Sequence, residues 1–126
     1  MKISFQSDSG IIAAEVWVKD VLGKRCIKMA VDTGSTYSII PSEIAEAIGC
    51  EPASSKDMVT LITASGVEKA PRVNVALQVW GKKLKKLKVV CHSLPPKAYV
   101  DGLLGIDALR LLKAVINFKH SFMEID

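Results

Sequence analysis

Residues 29–41 read MAVDTGSTYSIIP: the end of an apolar segment, an aspartate, a run of small hydroxyl and glycine residues, then apolar chain again. Gly34 lets the backbone turn tightly and approach another backbone or a ligand, because no Cβ stands in the way. Thr33 and Ser35 flank it with hydroxyls that can fix the orientation of the Asp32 carboxylate, and a Ser35 hydroxyl donating to that carboxylate is expected. The apolar flanks predict a buried turn, where an unpaired charge is expensive. A carboxylate held in this way is a candidate for chemistry. Asp, Thr and Gly are also ordinary turn formers, so the tripeptide alone is compatible with a plain structural turn. The chain offers one such turn, and a reaction needing two carboxylates would have to find the second elsewhere.

Outward from this turn, short β-type segments dominate. Ile11–Val18 and Arg25–Val31 flank the polar connection KDVLGK and predict a hairpin. In the second segment Ile27, Met29 and Val31 share one face, and Cys26, Lys28 and Ala30 the other. PSEIAEAIG, residues 41–49, predicts a short helix with Pro41 at its first position. Ile44, Ala47 and Ile48 form its apolar stripe, and Gly49 closes it. The extended segments MVTLITA and VEKAPRVNVALQVW surround Ala64, Ser65 and Gly66, a second hairpin. Lys85–Leu94 predicts a further strand, stopped by Pro95 and Pro96. Asp107–Val115 predicts a second helix with Asp107 as N-cap, and INF (116–118) and FMEI (122–125) predict two closing strands. Residues 1–126 are thus expected to form a mostly β single domain with two short helices.

At 126 residues, 49% hydrophobic and 24% charged, the chain can bury a core without disulfides. Its apolar content also suggests surface covered by a partner. No apolar run approaches the ~18 residues of a membrane-spanning helix, and MKISFQSDSG lacks the apolar centre of a signal peptide. A soluble cytoplasmic protein, or a soluble domain of a larger one, is expected, with no membrane partner. Cys26, Cys50 and Cys91 are odd in number and widely spaced, which fits free thiols in a reducing compartment. Together with His92 and His120 they show no ligand spacing such as CxxC, so neither metal nor cofactor is expected. Much of the net charge of +4 comes from GKKLKKLK (81–88), where Leu84 and Leu87 stand among five lysines. That pattern fits an exposed strand whose lysines oppose sheet-to-sheet aggregation. An anionic partner is the sharper alternative. Without accompanying arginines or aromatics, nucleic acid is not expected to be that partner.

A second motif, VDGLLGIDAL (100–109), lies about 70 residues after the first. Two leucines and a glycine ahead of a capped helix describe a strand that crosses the core and turns sharply. Asp32-Thr33-Gly34 with Ser35, followed by Leu103-Leu104-Gly105 and a helix, resembles the retropepsin-like aspartic proteases over roughly residues 25–118. The hairpin around Ala64, Ser65 and Gly66 falls where that family has its flap, and INF matches the strand after its helix. The resemblance implies a closed β-barrel-like core, a flap hairpin and a homodimer in which each subunit donates one Asp-Thr-Gly turn. Chemistry agrees, since aspartic proteolysis needs two carboxylates sharing a proton. One such turn per chain then requires a two-fold axis between two copies of Asp32.

By position, the resemblance further implies that Asp32, Thr33 and Gly34 form the catalytic turn, with Thr33 reaching across the axis. Gly34 would accept a hydrogen bond from substrate backbone. Ser35, Ala64, Ser65, Gly66, Asp101 and Leu103 would line the site of an extended peptide or protein substrate. For Asp101 an ordinary turn role is the competing reading. The residues after INF leave two options for the interface, interleaved termini or a C-terminal hairpin. The expected function is a homodimeric aspartic endopeptidase that activates water between two Asp32 carboxylates. The alternative is a catalytically silent peptide-binding or dimerisation module of the same fold, and a lysine-rich nucleic-acid module ranks last.

Overall fold

The computed structural model describes residues 1–63 and 66–126. Strands β2 (Ala13–Asp20) and β3 (Gly23–Val31) form the first hairpin, and β4 (Ile39–Ile40) follows the Asp32 turn. After helix α1 (Ser42–Ala47) come β5 (Met58–Thr63), the long β6 (Gly66–Val79) and β7 (Lys82–Cys91). Strand β8 (Gly102–Leu104) leads into helix α2 (Ile106–Leu111) and then β9 (Val115–Asn117) and β10 (Phe122–Glu124). The seven-stranded sheet runs β2-β3-β8-β4-β7-β6-β5, and β6 pairs again with β2. That extra pairing closes six strands into a barrel and leaves β5 outside it, as one arm of a hairpin with β6. The fold is mostly β with short helices around a closed barrel-like core.

Alternation along β2 sets one wall of the barrel core. On β2, Ala14, Val16 and Val18 point inward, and Ile27, Met29, Val75, Leu77, Val79, Leu87 and Val89 meet them. Each fully buried aliphatic side chain of this kind contributes roughly 1.5–3 kcal/mol, so truncating Met29 to alanine is expected to cost about 2–5 kcal/mol. Leu84 and Leu87 are three residues apart, a spacing that alternation cannot bury on one face. A β-bulge resolves the conflict: Val75 lies opposite Leu87 and Leu77 opposite Leu84, so β7 holds one extra residue. Lys85 and Lys86 both remain outside.

Several boundaries differ from expectation. Helix α2 ends at Leu111, not Val115, because Lys113 takes φ +52 and the Ala114 N–H turns back to the Leu109 carbonyl. Asp107 is not its N-cap. Gly105 occupies that position, and the Asp107 carboxylate is engaged elsewhere. In α1, Ala45 is buried in place of Ala47, and Pro41 is the N-cap rather than the first helical residue. The N-terminal residues form an unanticipated strand, β1 (Lys2–Ser4), which pairs with β10 in a second sheet ordered β1-β10-β9. Ala64 and Ser65, expected at the hairpin tip, lie outside the described residues; Gly66 opens β6 at φ +126.

Candidate active site

Parallel pairing of β3 with β8 sets Val31 beside Leu104 and delivers Asp32 to the end of the barrel. The Asp32 N–H donates to the Leu104 carbonyl at 3.0 Å, and the Gly34 N–H donates to Asp32 Oδ1 at 2.9 Å. The carboxylate is therefore oriented by the turn's own backbone. The Ser35 hydroxyl does not serve it: Oγ donates to the Tyr37 carbonyl at 2.6 Å. Nor is the turn buried in the single chain. Asp32 is half-buried, while Thr33 and Gly34 are exposed.

The two motifs are stitched together at close quarters. The Ile106 N–H donates to the Ser35 carbonyl at 2.8 Å. A Cβ on Gly105 would sit 2.7 Å from backbone atoms of Ser35 and Tyr37, and one on Gly102 would strike the Ile39 carbonyl. Only glycine allows β8 to pass so near. Ser38, fully buried, completes the junction: its Oγ donates to Asp107 Oδ1 at 2.7 Å and accepts from the Gly105 N–H at 3.0 Å. The Ser38 N–H donates to Asp107 Oδ2 at 3.0 Å, and the Ala108 N–H to Oδ1 at 2.7 Å. Sequence reasoning missed this link, because it assigned Asp107 to the N-cap of the helix that follows.

A cavity of about 880 Å³ opens beside the turn. Asp32, Gly34, Ser35 and Leu103 line it, as do Tyr37 and Ile39. The β5–β6 arm contributes Thr60, Leu61, Ile62 and Glu68, and the far wall runs from His92 to Pro96. His92 Nε2 lies 3.3 Å from Glu68 Oε2 and ties that arm to the wall. Neither residue, nor the Leu94-Pro95-Pro96 wall, was anticipated, because only the fold brings them opposite Asp32. The base of the arm is held by Asp57, whose carboxylate accepts from Arg72 Nε and Lys88 Nζ, both at 3.1 Å. These bonds, Arg72 foremost, hold the Asp57 carboxyl below its ordinary value of 3.8. Asp101 is not brought to the cavity. It brackets Lys28, accepting from its N–H at 2.9 Å and donating to its carbonyl at 2.7 Å, which is the work of a turn residue. Among the described residues no group of His, Cys, Asp or Glu could hold a metal.

The family described as "gag-polyprotein putative aspartyl protease" matches residues 20–111, spanning both motifs. The chain belongs to this family. Among solved structures, a retropepsin-like aspartic protease from Rickettsia conorii is 25% identical, with a TM-score of 0.70 over 98% of this chain and 86% of the other. EIAV protease complexed with the inhibitor HBY-793 shares the fold at a TM-score of 0.70 and 15% identity, covering 91% of this chain and 99% of that one. Simian Foamy Virus (mac) protease does so at 0.53 and 20% identity, over 81% and 96%. Among curated proteins there is no match. This is a retropepsin-like aspartic-protease chain by homology. Among its described residues no helix is long and apolar enough to cross a membrane.

Proposed function

We propose that the protein, residues 1–126 acting as one domain, is an aspartic endopeptidase that works as a homodimer. The observation that carries this is the single Asp32-Thr33-Gly34 turn, locked to the Leu-Leu-Gly segment, exposed at its tip and open to the cavity. One carboxylate of the dyad takes a proton from water, and its partner, protonated, polarises the scissile carbonyl. Like charges at contact cannot both ionise, so the pair shares one proton. Thr33 meets the opposite turn, and Gly34 and Ser35 face substrate backbone. An extended peptide lies between Leu103 and the β5–β6 flap, whose Ile62 and Val67 are exposed, and Ala64, Ser65 and Gly66 are assigned to its binding.

Strand β9 supports a specific interface. It stands at the edge of the β1-β10-β9 sheet, and Leu111, Val115 and Phe118 around it are exposed. Strand β10 is already paired on both sides within one chain, which favours contact through the C-terminal β9–β10 hairpin over interleaved termini. The test is cleavage of an unfolded protein substrate across a range of pH, with and without a statine-type inhibitor. Wild type is expected to cleave and be blocked, and Asp32→Asn to lose at least about 10²-fold while staying folded and dimeric. Full activity in a clean Asp32→Asn preparation refutes the mechanism. A folded wild-type dimer that binds statine peptides without cleaving any substrate establishes the catalytically silent alternative.

A further inference from the structure

A second concavity, of about 690 Å³, shares no lining residue with the Asp32 cavity. It runs over the outer wall of the barrel across four consecutive strands, β3, β2, β6 and β7. Lys19 and Lys24 form one bank, Lys83, Lys85 and Lys86 the other, and Trp17, Asn74, Ala76 and Gln78 lie between them. Asp20 is the single acid, and its Oδ2 already accepts from the Cys50 thiol at 3.2 Å. Five lysines against one aspartate equal the chain's entire net charge of +4, so the remaining surface is balanced.

Strand β7 meets β4 only at Val90 and Cys91, so edge protection accounts for the lysines on its earlier stretch but not for the other bank. Strand β2 is paired on both sides, with β3 and β6, and still presents Lys19 and a Trp17 that is 42% exposed. Lys19 also lies directly opposite Lys24 in the β2–β3 ladder, a like-charge pairing that weakens a sheet. None of the five lysines forms an ion pair among the described residues. The Lys24 ammonium rests instead 4.8 Å from the centre of the Trp17 ring. A local rule broken at a stability cost, with only the Lys24–Trp17 contact to offset it, marks a functional surface.

We infer that this trough docks an acidic, extended polypeptide segment, with Asp and Glu side chains on the two lysine banks and an apolar side chain on Trp17. The trough is all lysine with one stacking ring, whereas a single-stranded nucleic-acid groove relies on arginines and several stacked aromatics. The site is independent of proteolysis, because it lies on a different wall.

The experiment is anisotropy of a short fluorescein-labelled peptide rich in Asp and Glu, titrated with the full chain at low and at physiological salt. Binding that weakens with salt is expected. The triple variant Lys83→Glu/Lys85→Glu/Lys86→Glu should lose affinity about tenfold or more, from three exposed ion pairs of up to ~1 kcal/mol each. Lys56→Glu/Lys69→Glu/Lys97→Glu, with the same change in net charge outside the trough, should lose much less. Equal losses in the two triple variants, or no binding at low salt, overturn the proposal. Tighter binding of oligo-dT through the same three lysines overturns the polypeptide assignment.

Discussion

Ser38→Ala tests the junction that holds the Asp32 turn. The substitution removes one oxygen from a fully buried site and adds no bulk. Two bonds disappear: donation to the Asp107 carboxylate at 2.7 Å and acceptance from the Gly105 N–H at 3.0 Å. A bond to an ionised acceptor contributes about 1.5–3 kcal/mol, and a buried N–H left without a partner costs about 1–3 kcal/mol. The two are not additive, because Asp107 keeps its bonds from the Ser38 and Ala108 N–H groups. A net loss of about 2–4 kcal/mol is therefore expected, large beside the roughly 5–15 kcal/mol of an ordinary domain. Urea denaturation at fixed protomer concentration measures it, since the proposed dimerisation would make apparent stability concentration-dependent. Ser38→Thr, which keeps the oxygen, should lose less than Ser38→Ala if its methyl group is accommodated. A loss under about 0.5 kcal/mol in Ser38→Ala, the level of a neutral surface change, would refute the idea that this hydroxyl secures the junction.

Burial pushes the Cys50 thiol up to about 12, aided by Asp20, and the Cys91 thiol up to about 11, so both stay protonated at neutral pH. Exposed Cys26 alone should react with a thiol reagent in the native state, and all three after unfolding; native labelling of Cys50 would contradict the packing. Because the folded Asp57 carboxyl lies below 3.8, its stabilisation is present above that pH and fades as pH falls through the lower folded value. Asp57→Asn should accordingly destabilise at neutral pH but not in strong acid, and an equal deficit at both, read from thermal melts, would dissociate the effect from charge. Val115→Lys on the exposed β9 edge should shift sedimentation towards monomer and lower peptidase activity in parallel, whereas an intact dimer would move the interface elsewhere.

The sequence by itself determined the architecture and the family. Alternation along β2 and β3, the Asp-Thr-Gly turn and the Leu-Leu-Gly segment are local patterns, each legible because strand period and turn chemistry act over a few residues. What lay beyond local reach was decided by tertiary structure. Lys113 ends α2 early because β9 must start where it can pair with β10. Asp107 looked like a helix cap, and became the anchor of Ser38 only when β8 was drawn against β4. Glu68 and His92 are 24 positions apart in the chain and meet only because the flap arm folds over the wall. Lys19 and Lys24 flank a turn, Lys83 to Lys86 lie in another hairpin, and no window of sequence joins them. The β2–β6 pairing that closes the barrel sets them on two banks of one trough. Local propensity specifies elements; which side chains face each other across space follows from barrel closure, a property of the whole chain.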